Sequence, residues 1–79
     1  MISKKLEDAI NYQINRELFS EYYYLSMASY FSSVGLSGFE NFFLVQVEEE
    51  RFHAMKMYKF LILKLEEEHM LTYSMYSSG

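Results

Sequence analysis

The chain has no cysteine, no proline and no tryptophan, and it has only 3 glycines among its 79 residues. Without cysteine, neither disulfide bonds nor thiolate metal ligands are available. Because proline and glycine are the strongest breakers of regular backbone, their scarcity predicts long helices rather than a fold of strands and turns. The sequence also lacks a run of about 18 apolar residues, so we expect no membrane span.

Positive charge is scarce as well, with 7 Lys and Arg against 11 Asp and Glu and a net charge of −4. This balance argues against a basic surface that neutralises phosphates, so we expect no nucleic-acid partner. Met1 and Ile2 are followed at once by charged and polar sequence without a secretory pattern. We therefore expect no signal peptide and a cytoplasmic location.

Apolar residues are abundant by contrast. They make up 51% of the sequence and include 8 Tyr and 7 Phe. A single unit spanning residues 1–79 is short and buries only a modest part of its surface. The excess of apolar side chains therefore predicts a homo-oligomer, at least a dimer.

Apolar residues recur at helical spacing over about residues 4–33 and again over about 39–76. Ser3 is expected to cap the first helix. The break at 34–38 contains Gly35, which suits a left-handed residue that ends a helix. Because a short connection makes two helices antiparallel neighbours, the sequence predicts an all-α helical hairpin.

Each helix has a stripe of mainly apolar residues that we expect to face the other helix. In the first helix the stripe consists of Leu6, Ile10, Ile14, Glu17, Glu21, Tyr24 and Ala28. In the second it consists of Phe39, Phe43, Val47, Glu50, Ala54, Met57, Leu61, Leu65, Glu68, Leu71 and Met75. The first helix has a second apolar face, formed by Tyr12, Phe19, Tyr23, Met27 and Tyr30. A second apolar face favours contacts with further chains.

Three residues of metal-ligand type fall together in this arrangement. Glu50 and His53 are three residues apart, so they lie on adjacent turns of one helix face. Glu17 lies 18 residues before Gly35 and His53 lies 18 residues after it. A hairpin folded at Gly35 therefore brings Glu17 level with His53, and charged groups on apolar stripes are costly unless paired or bound to metal.

Less specific interpretations compete with a metal site. A lone Glu-x-x-His on a helix carries no function in about nine matches of ten. Glu48, Glu49 and Arg51 are typical of a solvated face with local ion pairs, and the Tyr and Met stripes are typical of packing. The joint placement of Glu17, Glu50 and His53 at one level favours the metal site.

Carboxylates and imidazole without sulfur suit iron or manganese, with zinc as a competitor. Di-iron helical bundles use a Glu from each of two helices and a Glu-x-x-His from each of the other two. This hairpin supplies one of each, so two hairpins in a symmetric four-helix bundle complete the set. The predicted active unit is a dimer.

Several stretches together resemble the non-haem ferritins of bacteria and archaea. They are Asn15-Arg16-Glu17-Leu18, Tyr24-Leu25-Ser26-Met27-Ala28-Ser29-Tyr30-Phe31, Gly35-Leu36-Ser37-Gly38-Phe39 and Glu49-Glu50-Arg51-Phe52-His53-Ala54-Met55-Lys56-Met57-Tyr58. The resemblance covers about the first 60 residues. It implies a ferritin-like bundle that oxidises Fe(II) with O₂ at a di-iron site and stores or detoxifies iron.

The resemblance also implies roles for individual residues. Glu17, Glu50 and His53 correspond to the ligands at which iron is oxidised. Tyr24 corresponds to a tyrosine that hydrogen-bonds a ligand carboxylate. Glu49 matches a position that assists a nearby third iron in some relatives.

The second half of the sequence departs from the ferritin pattern, because the long crossover after the second helix and the fourth-helix ligands are absent. Residues 66–76 resemble the start of the family's third helix, which makes Glu68 correspond to a metal-binding glutamate. On a continuous helix Glu68 lies about 27 Å from Glu50, so a partner chain would have to bring it. Two alternatives stay open: a non-catalytic, truncated assembly module, and a two-helix ferritin-like protein that works inside another container.

Overall fold

A computed structural model describes the backbone of residues 2–77 and the side chains of residues 2–70. It contains two helices, α1 (Lys4–Ser33) and α2 (Ser37–Ser77), which pack along each other as an antiparallel hairpin. The hairpin measures 67 × 19 × 12 Å. The predicted all-α hairpin is therefore confirmed, and no strand occurs within residues 2–77.

The first helix begins at a side-chain cap. Ser3 is extended (φ −77°, ψ 155°), and its Oγ accepts a hydrogen bond of 3.1 Å from the backbone N–H of Leu6. This bond satisfies one of the N–H groups that have no partner in the first turn of a helix. The predicted cap at Ser3 is confirmed.

The turn between the helices depends on Gly35, whose φ is +76°. The N–H of Leu36 donates to the carbonyl of Phe31 at 2.9 Å, and the N–H of Gly35 donates to the carbonyl of Ser32 at 3.1 Å. This pair of bonds is a Schellman motif, and it needs a left-handed residue at the position of Gly35. The carbonyl of Leu36 then accepts from the backbone N–H of Glu40, so α2 begins at Ser37, within two residues of the expected start at about residue 39.

Three side chains between the helices are almost fully buried, and two of them are alanines. Ala28 of α1 and Ala54 of α2 are 2% exposed, and Leu61 is 4% exposed. Most other residues of the two expected inward stripes are half-buried, which confirms the direction that those stripes face. Two of their residues, Leu6 and Phe39, are exposed instead. Leu71 and Met75 lie outside the residues whose side chains are described.

Aromatic rings fill the space between the helices near the turn. Phe31 stacks on Phe39 and on Phe43, with ring centroids 5.2 and 5.7 Å apart. Tyr24 lies against the other side of this cluster, 5.9 Å from Phe43. These contacts join both helices just beyond the turn and so help to fix their register.

The outer apolar face predicted for α1 is largely open to solvent. Tyr12, Phe19, Tyr23 and Tyr30 are all exposed, whereas Met27 is half-buried. The accessible surface of the chain is 6409 Å². A compact monomer of this length exposes about 5,000 Å². Two helices alone therefore leave much apolar surface uncovered.

Candidate metal centre

Glu17, Glu50 and His53 converge midway along the hairpin. Each offers one possible ligand atom, and the three atoms lie within 4.8 Å of one another. Nδ1 of His53 lies 4.0 Å from Oε2 of Glu17. The three residues are brought together because α1 and α2 run antiparallel from Gly35 with the same rise per residue.

The one distance known between two of these atoms is short enough for a shared metal ion. Two ligand atoms that are each about 2.1 Å from one metal lie about 3 to 4.2 Å apart, depending on the angle between them. The 4.0 Å separation between His53 and Glu17 falls in this range. Oxygen and nitrogen donors without sulfur suit iron or manganese, and zinc competes for the same set.

The cluster is closed on one side and open on the other. The Glu17 side chain is 18% exposed, and the His53 side chain is 55% exposed. Glu50 is half-buried. A single hairpin therefore covers the carboxylate of α1 and leaves the imidazole accessible to a further layer of protein.

Gln13 holds the Glu17 carboxylate from one turn earlier on α1. Its Nε2 donates a hydrogen bond of 2.9 Å to Oε1 of Glu17 in a partly buried position. The sequence analysis missed this residue. Its signal was the four-residue spacing from Glu17, which places the two side chains side by side on one helix face.

A neighbouring carboxylate, Glu21, has a cation of its own. Nε of Arg51 lies 3.9 Å from Oε1 of Glu21, which joins α2 to α1. The Arg51 side chain is 73% exposed, as expected for a solvated face, and its ion pair reaches across to the other helix.

The other predicted site residues do not join this group. Tyr24 is half-buried, its ring contacts Phe43 and Tyr23, and no hydrogen bond within residues 2–70 links its hydroxyl to a ligand carboxylate. Glu49 is exposed. Glu68 is half-buried on the unbroken α2, 18 residues after Glu50 and so about 27 Å along the axis.

Neither α1 nor α2, as far as they are described, is apolar enough over a sufficient length to cross a membrane. The expectation of no membrane-spanning helix holds for this part of the chain.

Comparison with known proteins gives one consistent family. The Ferritin-like domain family matches residues 7–76. The bacterial non-heme ferritin of Staphylococcus aureus is 44% identical over 61 residues, which are 77% of this chain and 37% of the relative. The protein of the same name from Staphylococcus haemolyticus is 43% identical over the same length. No solved structure matches the chain significantly.

The fold and the cluster together define a helical hairpin with carboxylate and imidazole groups gathered between its helices. With the family match over most of its length, the chain belongs to the ferritin-like family. It spans about a third of the length of the curated relatives that it matches.

Proposed function

We propose that this chain is an iron-binding ferritin-like protein in which Fe(II) is oxidised by O₂ at Glu17, Glu50 and His53. The observation that carries the proposal is the convergence of these three ligand atoms within 4.8 Å. Membership of the ferritin-like family supports iron as the metal. The proposed role is iron storage or detoxification in the cytoplasm.

Each residue has a defined part in this proposal. The Glu17 and Glu50 carboxylates are hard, anionic ligands, which would favour Fe(III) over Fe(II). Two irons would each give one electron to a single O₂, which with two protons from water becomes hydrogen peroxide. His53 adds a neutral nitrogen ligand from the turn that follows Glu50.

In the proposed di-iron site a second copy of the chain supplies the remaining ligands. Bundles of this type use four carboxylates and two histidines, and one hairpin supplies half of that set. We propose a homodimer in which two hairpins face each other across the open side of the cluster. Within it Tyr24 orients a ligand carboxylate, and Glu49 and Glu68 become ligands only where the assembly brings them close.

A second candidate is a ferritin-like packing module without catalysis, either alone or inside the container of another protein. It is favoured by the number of ligands, since the three that converge in one hairpin are fewer than a di-iron site needs. Iron binding distinguishes the two candidates.

Anaerobic Fe(II) titration of the purified oligomer, followed by exposure to air, tests the proposal. We expect one tightly bound iron per chain and rapid oxidation, both of which are lost in Glu50→Ala and His53→Ala. The matched controls are Glu48→Ala and His69→Ala, which remove exposed residues of the same types from the same helix. Equal iron binding by all four variants and the parent would exclude the ferroxidase and leave the packing module.

A further inference from the structure

The two oxygens of the Glu17 carboxylate have different surroundings. Oε1 accepts the hydrogen bond from Nε2 of Gln13 at 2.9 Å. Oε2 points across to α2, where Nδ1 of His53 lies 4.0 Å away. One oxygen is therefore occupied by α1 itself, and the other faces the cluster.

The chemistry of the two side chains fixes the direction of this hydrogen bond. An ionised carboxylate only accepts hydrogen bonds, so the Gln13 amide must turn its nitrogen toward Glu17. Bonds to a charged acceptor are stronger than bonds between neutral groups. Gln13 and Glu17 are both half-buried and lie one turn apart on the same helix, so the bond forms without any partner chain.

We propose that Gln13 is a positioning residue of the metal centre, holding Oε1 of Glu17 so that Oε2 is presented to the metal. The inference rests on the proposed function, because it assigns a role relative to the same three ligands. A glutamate that rotates freely must lose that freedom when it binds a metal. Gln13 restricts the rotation of the Glu17 side chain before the metal binds, so less conformational entropy is lost on binding. Gln13 therefore raises the metal affinity without itself contacting the metal.

The chain offers a natural control for this role. Its only other glutamine, Gln46, precedes Glu50 by the same four residues and is also half-buried. Within residues 2–70, however, no hydrogen bond joins Gln46 to Glu50. The two glutamines share spacing and burial and differ in the bond to the ligand.

The test compares Gln13→Met and Gln46→Met, in which methionine keeps the length of the side chain and removes the amide donor. The probe is Co(II), which takes the same oxygen and nitrogen ligands and has a visible spectrum that reports its geometry. We expect Gln13→Met to weaken Co(II) binding about 10- to 100-fold and to alter the spectrum of the bound ion. Gln46→Met should bind Co(II) as the parent does, and circular dichroism should show equal helix content in both metal-free variants.

Equal Co(II) affinity and an unchanged spectrum in Gln13→Met would overturn the positioning role alone, as would equal weakening in both variants. If the parent binds no Co(II), the proposed function fails and the positioning role falls with it. A second measurement covers a Gln13→Met variant that does not fold. In the NMR spectrum of the parent, the side-chain amide protons of Gln13 should exchange with solvent more slowly than those of Gln46. Equal exchange rates would contradict the hydrogen bond between Gln13 and Glu17.

Discussion

At the scale of single residues, two alanines are the most completely buried of the described side chains. Ala28 is almost completely buried against α2, and Ala54 occupies the same kind of position on α2. A larger side chain at Ala28 has no space to enter, because close-packed interiors accommodate added methylenes only by shifting the backbone or straining rotamers.

We therefore expect Ala28→Leu to lower the free energy of unfolding by about 1–3 kcal/mol. Ala9, an exposed alanine of the same helix, provides the control. Ala9→Leu should change the free energy of unfolding by less than about 0.5 kcal/mol. Urea unfolding of both variants at one protein concentration measures the difference, and similar values for the two would contradict the close approach at Ala28.

The site residues show what sequence can predict at this scale. The approach of Glu17 to His53 was predictable, because both helices rise equally per residue from Gly35 and the two positions are equidistant from it. The contact of Gln13 was allowed by its four-residue spacing from Glu17 but not determined by it, and the contact of Arg51 had no such signal, because both depend on which rotamer each long side chain adopts. Arg51 sits among Glu48 and Glu49 in the sequence, and only the packing of α2 on α1 places it near Glu21.

At the scale of helices and turns, two glycines that lie three residues apart differ in backbone conformation. Gly35 has a φ of +76°, whereas Gly38 lies in the first turn of α2. A Cβ at either position meets nothing within 4 Å. The difference between them is therefore a matter of backbone conformation and not of space.

Gly35→Ala should lower the free energy of unfolding by about 1–2 kcal/mol, because a Cβ is disfavoured in the left-handed region. Gly38→Ala should raise it by up to about 1 kcal/mol, since alanine favours the helical backbone. Thermal unfolding of the two variants beside the parent checks the signs. A stabilising Gly35→Ala would show that the Schellman turn does not form.

The turn also shows why helix limits are harder to predict than helices. Gly35 marked the end of α1 because its conformational freedom suits a C-terminal cap. Ser37 and Gly38 mark the start of α2 less sharply, since the carbonyl of Leu36 begins the helix without a capping side chain. The helix starts at Ser37, within two residues of the expected start at about residue 39.

At the scale of the whole molecule, one hairpin is too thin to bury its apolar residues. Its surface of 6409 Å² exceeds the roughly 5,000 Å² of a compact monomer, and Phe19 and Phe52 are among its exposed aromatic residues.

Folding that depends on association is concentration-dependent by mass action. We expect the melting temperature to fall when the protein is diluted about 100-fold, with sedimentation analysis showing a dimer or larger species at the higher concentration. A monomer with a constant melting temperature would contradict the dimer.

Metal binding and association should be coupled if the centre is shared between two chains. A metal that binds the folded protein at about 100 times its dissociation constant stabilises it by about 2.7 kcal/mol. When its ligands come from two hairpins, the same free energy also favours the dimer, because linkage between the two equilibria is reciprocal.

We therefore expect Co(II) to raise the melting temperature and to lower the dissociation constant of the dimer together, with both effects lost in Glu50→Ala and reversed by a chelator. Glu48→Ala, which alters an exposed residue of the same helix, should retain both effects. A rise in melting temperature with unchanged dimerisation would place the metal within a single hairpin, held by Glu17, Glu50 and His53 alone. In that case the second copy would cover the aromatic surface of α1 without completing the site.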